Sequence, residues 1–275
     1  MYEIAVAEGT AVLARDDGLA LVDVTDPHNP VEVAYGPSPC ADPTDLALAD
    51  GYLYAACHSE GLAIMELTGP TIPAVVGELN TGGYAEGLAL WGDYVYVTDS
   101  SAGLCAVDVT DPTDPILTGR WDGAYSTGSL AVSGGYAYLA NSYSGLWIVD
   151  VSNPADPTPL SYLGTPGGAY DVAVAGSRAY VADDEWGLLV VDVSDPLEPE
   201  AVGFLDTPGY ARCVEILGTT AYVTDHRGNL FLVDIKHPHR PQEVAHWDSP
   251  GEGVWDARAD LALDGGYVYL EVGGW

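Results

Sequence analysis

One segment recurs along this chain at a nearly fixed interval. It reads GLALVDVTDP from Gly18, GLAIMELTGP from Gly61, GLCAVDVTDP from Gly103, GLWIVDVSNP from Gly145, GLLVVDVSDP from Gly187 and, more weakly, NLFLVDIKHP from Asn229. The acidic residue inside it falls at Asp23, Glu66, Asp108, Asp150, Asp192 and Asp234, with spacings of 43, 42, 42, 42 and 42 residues. A period held over six copies means one supersecondary unit stacked on copies of itself, which narrows the architecture to a propeller or a solenoid.

A second segment precedes each of these, and it occurs seven times: EIAVAEGTAVLARD, DLALADGYLYAACH, GLALWGDYVYVTDS, SLAVSGGYAYLANS, DVAVAGSRAYVADD, CVEILGTTAYVTDH and DLALDGGYVYLEVG. Each unit then reads as four strands: a short apolar strand A, a glycine-containing turn, a Tyr-Val-Tyr-Val strand B, a polar loop, strand C (GLxVVDV), an Asp/Asn-Pro turn and strand D. A four-stranded unit of about 42 residues has the size of a propeller blade, about 40 to 45 residues. Runs such as LWIVDV and LLVVDV lack polar alternation, as expected of strands buried on both faces between neighbouring blades. Parallel coils of a solenoid are shorter and have no antiparallel turns on this schedule.

The segments GLWIVDVSNP and GLLVVDVSDP, with the flanking AYVAD and TPGYA, resemble the LVIVD repeat, and the resemblance runs the length of the chain. It implies a β-propeller of a kind found in bacterial and archaeal proteins that are often secreted or surface-attached, and it implies almost nothing about activity. The expectation is an all-β, seven-bladed β-propeller of four-stranded antiparallel blades with an incomplete last blade. The alternative is six blades plus a terminal hairpin, because seven A and B segments accompany only six C and D segments. A single domain spans residues 1–275, with units starting near residues 3, 45, 87, 129, 171 and 213 and a partial unit from 260.

Composition narrows the setting. With 41 acidic against 8 basic residues the formal net charge is -33, and Lys236 is the single lysine. Such a chain repels nucleic acid and anionic lipid. No stretch approaches the roughly 20 apolar residues of a membrane span, so membrane insertion is not expected. The start MYEIAVAEGT shows no signal peptide; the family resemblance favours an extracellular or cell-surface location, with a cytoplasmic one left open. The four cysteines are neither dense nor spaced as a zinc site. Cys40 and Cys57 fall at the same end of the second unit, but spacing does not establish the geometry of a disulfide, so they are read as buried thiols.

The D-to-A and B-to-C connections share one face of a propeller, where function is expected. Strand A begins at Glu3, Asp45, Gly87, Ser129, Asp171, Cys213 and Asp260, so the channel rim is rich in carboxylates. Asp45, Asp171 and Asp260 are candidate calcium ligands, calcium being a hard cation that accepts several oxygens in irregular geometry; no other cofactor is indicated. Aromatic residues gather in the same loops: Tyr84, Tyr125, Tyr143, Tyr170, Trp186, Tyr210 and Trp255. Of these, Tyr170, Trp186, Tyr210 and Trp255, with Arg212 and Arg258, are the candidate ligand-binding residues. The loop from Trp247 to Asp260 is five residues longer than its counterpart from Leu205 to Cys213, and insertions in repeats map to loops, often on the binding face. The repeated acid of strand C precedes a Val-Thr/Ser-Asp/Asn-Pro turn and is read as structural, a carboxylate accepting backbone N–H bonds.

No GxSxG elbow, HExxH helix or phosphate-cradling glycine loop is present, and His58 and His226, at one repeat position in the second and sixth units, are read as outer-loop residues far apart. The favoured function is therefore a non-catalytic scaffold or interaction module of a secreted or surface protein, with a protein or glycan partner on its loop face. One alternative is a polysaccharide lyase or hydrolase built on rim carboxylates such as Asp171 and Asp260 with Arg212 or Arg258. The other is a structural subunit that self-associates into a surface assembly.

Overall fold

The computed structural model describes residues 3–15, 18–38, 40, 42–123, 127–142, 144–250 and 259–272. Blade one consists of β1 (Glu3–Ala7), β2 (Thr10–Arg15), β3 (Gly18–Asp23) and β4 (Val31–Gly36); blade two of β5 (Asp45–Ala49), β6 (Tyr52–Ala56), β7 (Leu62–Glu66) and β8 (Ala74–Leu79). Blade three holds β9 (Ala85–Trp91), β10 (Tyr94–Asp99), β11 (Gly103–Asp108) and β12 (Ile116–Trp121), and blade four β13 (Thr127–Ser133), β14 (Tyr136–Asn141), β15 (Gly145–Asp150) and β16 (Thr158–Leu163). Blade five is β17 (Asp171–Ala175), β18 (Arg178–Ala182), β19 (Leu188–Asp192) and β20 (Glu200–Leu205); blade six is β21 (Ala211–Leu217), β22 (Thr220–Asp225), β23 (Leu230–Asp234) and β24 (Gln242–Trp247). A terminal hairpin, β25 (Ala259–Asp264) and β26 (Tyr267–Val272), follows.

The seven-bladed expectation is thus corrected to its alternative: six four-stranded antiparallel blades plus a two-stranded hairpin. The physical reason is the one visible in the sequence, since the seventh unit supplies an A and a B strand and, among the described residues, no strand pairs with the outer edge of β26. The hairpin does not hang outside the ring, however. Its β25 packs against β21 on one side and β1 on the other, so seven inner strands surround the channel.

Local sequence sets the blade geometry. Strands A and B are joined by two-residue turns, and in the first unit Glu8 and Gly9 take φ of 52° and 77°, as Asp50 and Gly51 do in the second with 52° and 80°. Two positive φ values in succession make the turn whose twist matches that of the flanking strands, which is why a glycine recurs there. Strand D carries a register shift against strand C in every blade, for example between Val190 and Val191, which bends the outer strand around its neighbour.

Cores form between blades rather than within them. Tyr138, Leu146 and Ile148 of blade four close on Val172, Val181 and Val191 of blade five, and Tyr180, Leu188 and Val190 on the other face of blade five close on Val214, Val223 and Phe231 of blade six. Each fully buried Leu, Val or Ile contributes roughly 1.5–3 kcal/mol over an exposed one, so the blade-to-blade contacts carry most of the apolar stabilisation. Between blade one and the hairpin, Ile4, Leu13 and Val24 pack with Ala262 and Tyr269.

Candidate ligand-binding face

The inner strands put their first residues at the mouth of the channel, a cavity of about 790 Å³. Here the three candidate calcium ligands have an evident structural use. Asp45 accepts the Leu46 N–H at 2.7 Å with one carboxylate oxygen and the Leu88 N–H of blade three at 2.7 Å with the other. Asp171 accepts Val172 N–H at 2.8 Å and Val214 N–H of blade six at 2.7 Å, and also the Ser129 hydroxyl. Asp260 accepts Leu261 N–H at 2.8 Å and Ile4 N–H at 2.8 Å, joining the last inner strand to the first. Each carboxylate therefore ties its own strand to the next, occupying N–H groups that an inner edge strand would otherwise leave unpaired. A cation at the rim would compete with these bonds. Among the described residues no three His, Cys, Asp or Glu side chains are arranged to hold a metal ion.

Desolvation and crowding tune these acids. Burial in the channel pushes Asp45 up to about 8 against the pull of its Leu88 and Leu46 hydrogen bonds, with Asp260 and Asp171 adding repulsion. Asp260 rises to about 6, first through desolvation, and Glu215 to about 7 through desolvation and the charges of Asp171 and Asp260. Glu215 escaped sequence reasoning although the repeat marks it: at that position of strand A the other units carry Ala5, Ala47, Ala89, Ala131, Ala173 and Ala262.

The acids at the end of strand B organise the loops. Asp99, Asp183 and Asp225 are fully buried. Asp99 accepts N–H bonds from Tyr84 at 3.0 Å and Ala102 at 2.9 Å and the Thr81 hydroxyl at 2.7 Å, so one side chain fixes both loops above its blade. Asp225 accepts Arg227 and Asn229 N–H bonds at 2.9 Å, and Gly209 lies so close that a Cβ there would sit 2.1 Å from its carboxylate. In blade two Cys57 stands where blades three, five and six place these acids, and it is bonded to Cys40 with a Cα–Cα distance of 5.8 Å. The reading of these cysteines as thiols is corrected: the disulfide makes the loop-to-strand tie that Thr81 and Asp99 make by hydrogen bonding. Cys105 and Cys213 are free.

The candidate ligand residues converge above blades five and six. The Arg212 guanidinium lies 3.8 Å from the centroid of the Tyr170 ring, and its Nη1 is 3.4 Å from Asp184 Oδ1. Apart from that ion contact both of these atoms are buried without a hydrogen-bond partner. Asp184 is held beside Arg212 because its carbonyl accepts the Ala211 N–H at 2.9 Å and its backbone takes φ of 48°, a left-handed geometry that aspartate tolerates better than most residues. Next to them Tyr210 stacks on His226 with centroids 4.6 Å apart, and the Tyr210 N–H donates to His226 Nδ1 at 3.0 Å. His226 lies in the B-to-C loop but is buried rather than exposed, and desolvation lowers its pKa. Trp186 sits farther out, edge-on to Phe204 at 6.3 Å. Tyr170, Trp186, Tyr210 and Phe204 are all exposed. Tyr84 is separate, stacked on His58 across the boundary of blades two and three. Trp255, Arg258, Tyr125 and Tyr143 lie outside the described residues.

Asp184 and Phe204 were not singled out from sequence, and His226 was read there only as an outer-loop histidine. For Asp184 and His226 the signal was available, since both directly follow a strand-B acid. On the opposite face the strand-C aspartates are turn caps as read: Asp23 and Asp108 accept both the N–H and the hydroxyl of Thr25 and Thr110, and Asp192 accepts Ser194 N–H at 2.9 Å.

The family model of the LVIVD repeat matches six stretches, residues 2–35, 42–81, 82–123, 125–162, 166–207 and 208–248. No curated protein matches the chain. Among solved structures, a protein of Lactobacillus plantarum superposes with a TM-score of 0.78 at 16% identity, over 92% of this chain and 86% of that one. The computationally designed Ika8 protein gives 0.69 at 9% identity over 97% and 91%, and BamB from Moraxella catarrhalis 0.62 at 13% identity over 98% and 79%. At these identities the likeness concerns the fold alone.

Proposed function

Because the chain belongs to the LVIVD-repeat family, we propose that it is a non-catalytic interaction module that holds a protein or glycan partner on its loop face, within a secreted or surface-exposed protein. The observation that carries the reading is the group formed by Arg212 on the Tyr170 ring, with exposed Tyr210 and Trp186 beside it. Exposed rings with few rotatable bonds present large contact area at low entropic cost, and an arginine stacked on one of them adds a directional donor set. The Cys40–Cys57 disulfide supports an oxidising compartment. The lyase or hydrolase alternative has less support, since Asp171 and Asp260 spend their carboxylate oxygens on backbone N–H groups.

The test is capture from a glycan array and from extracellular protein fractions, comparing the native chain with Tyr170→Ala and Arg212→Ala. Each substitution is expected to weaken binding by about tenfold or more, as for central aromatic and arginine residues of an interface. Equal capture by both variants, or turnover of a captured glycan, would overturn the reading.

A further inference from the structure

The channel volume of about 790 Å³ falls within the roughly 300–1,000 Å³ of small-molecule sites. Tyr170 and Arg212 form part of its mouth, and the seven inner strands form its wall. At the third position of these strands the wall is mostly methyl groups, with Ala5, Ala47, Ala131, Ala173 and Ala262 all lining the cavity. Glu215 takes that place in β21. Because a methyl group satisfies the same position in the other strands, packing of the ring does not call for a carboxylate there.

Glu215 is half-buried, and the charges that act on it, those of Asp171 and Asp260, have its own sign. Among the described residues no basic side chain pairs with it. Arg212 is the one basic residue of the described lining, and it is committed to the Tyr170 ring at 3.8 Å and to Asp184 at 3.4 Å. Asp45, Asp171 and Asp260 spend their oxygens on N–H groups of two strands each, whereas Glu215 has only the N–H of its neighbour Ile216. The wall thus focuses a negative potential on a carboxylate that lacks a counter-charge. Its pKa, pushed up to about 7 by desolvation and those two neighbours, reflects the same lack. A metal ion does not answer it, since no three His, Cys, Asp or Glu side chains among the described residues are arranged to hold one, and methyl groups supply no oxygen ligands. An ammonium group on a hydrocarbon stem answers both the charge and the methyl lining.

We propose that the channel binds a linear alkylamine, its ammonium group held by Glu215 and its hydrocarbon stem laid along the alanine-lined wall. Glu215 stands three residues beyond Arg212 in β21, about 10 Å along the strand at roughly 3.3 Å per residue. A ligand entering from the loop face therefore passes Tyr170 and Arg212 and needs a stem of several methylenes to bring its charge to Glu215. The site lies inside the channel and does not depend on the partner proposed for the loop face.

The test is calorimetric titration of the full chain with hexylamine and with hexanol at physiological ionic strength, where attraction to the chain's overall charge is largely screened. Hexylamine is expected to fill one saturable site, and hexanol to bind at least tenfold more weakly. Glu215→Ala, which installs the residue of the other strands, and Glu215→Gln are each expected to weaken hexylamine binding at least tenfold without lowering the melting temperature. Glu198→Gln, which removes an exposed acid in the C-to-D turn of blade five, is expected to leave binding unchanged. The proposal is overturned if hexylamine shows no saturable site, if hexanol binds as well, if both Glu215 variants keep the native affinity, or if Glu198→Gln weakens binding as much as they do.

Discussion

Asp99, Asp183 and the Cys40–Cys57 pair solve the same local problem, holding a D-to-A loop against the end of strand B; Asp183 does so by accepting the Gly167 N–H at 3.0 Å. Buried carboxylates that accept several N–H bonds cannot be removed without leaving those donors unsatisfied, at about 1–3 kcal/mol each. Asp99→Ala is therefore expected to destabilise the chain by more than about 3 kcal/mol in denaturant unfolding, and a loss within about 0.5 kcal/mol would show that water replaces the side chain. The disulfide closes a 17-residue separation. Cys40→Ala with Cys57→Ala is expected to cost about 3 kcal/mol, chiefly through a freer unfolded chain, and the same loss should appear on reduction of the native protein. The strand-C caps were legible from the sequence, because the acid and its Thr or Ser partner are two residues apart. The disulfide was not, since a separation of 17 residues does not give the distance between two Cα atoms.

At the scale of strands and loops, the sequence carries the A-to-B turns, the four strands of each blade and the seventh A and B pair. All of these are local patterns of alternation, turn chemistry and period. The loop face was half legible: Tyr170, Tyr210, Arg212 and Trp186 were placed there by repeat position, but the Arg212–Tyr170 stack and the part played by Asp184 and His226 depend on how two loops from neighbouring blades meet. That meeting makes a testable demand. Because Tyr210 N–H donates to His226 Nδ1, that nitrogen carries no proton in this arrangement. Binding at this face is expected to weaken as pH falls below the lowered pKa of His226, when protonation takes the acceptor away; a binding profile flat from pH 7 to 4.5 would separate His226 from the site.

For the whole molecule, two sets of carboxylates pull stability in opposite directions with pH. Asp23, Asp108, Asp150 and Asp192 are held below their ordinary range by Thr and Ser hydrogen bonds, so what they contribute is lost as pH falls through those lowered values. Asp45, Glu215 and Asp260 are raised to about 8, 7 and 6, so what they contribute is present in acid and lost as pH rises through that range. The formal charge of -33 adds repulsion in the same direction. The melting temperature is expected to be highest near about pH 5 and lower at pH 8.5, and a maximum above pH 7 would contradict the raised values.

Closure of the ring is the property on which the loop face and its channel both rest, and it was the least legible in the sequence, since Asp260 and Ile4 meet across 256 residues of chain. The direct measurement is thermal unfolding, with a hydrophobic dye, of a chain lacking residues 260–275. If the hairpin fills the ring between blades six and one, the truncated chain melts at a clearly lower temperature and binds dye before it unfolds, as the apolar surfaces of Ile4, Leu13 and Val24 become exposed. An unchanged melting temperature with no dye binding would mean that six blades close without it.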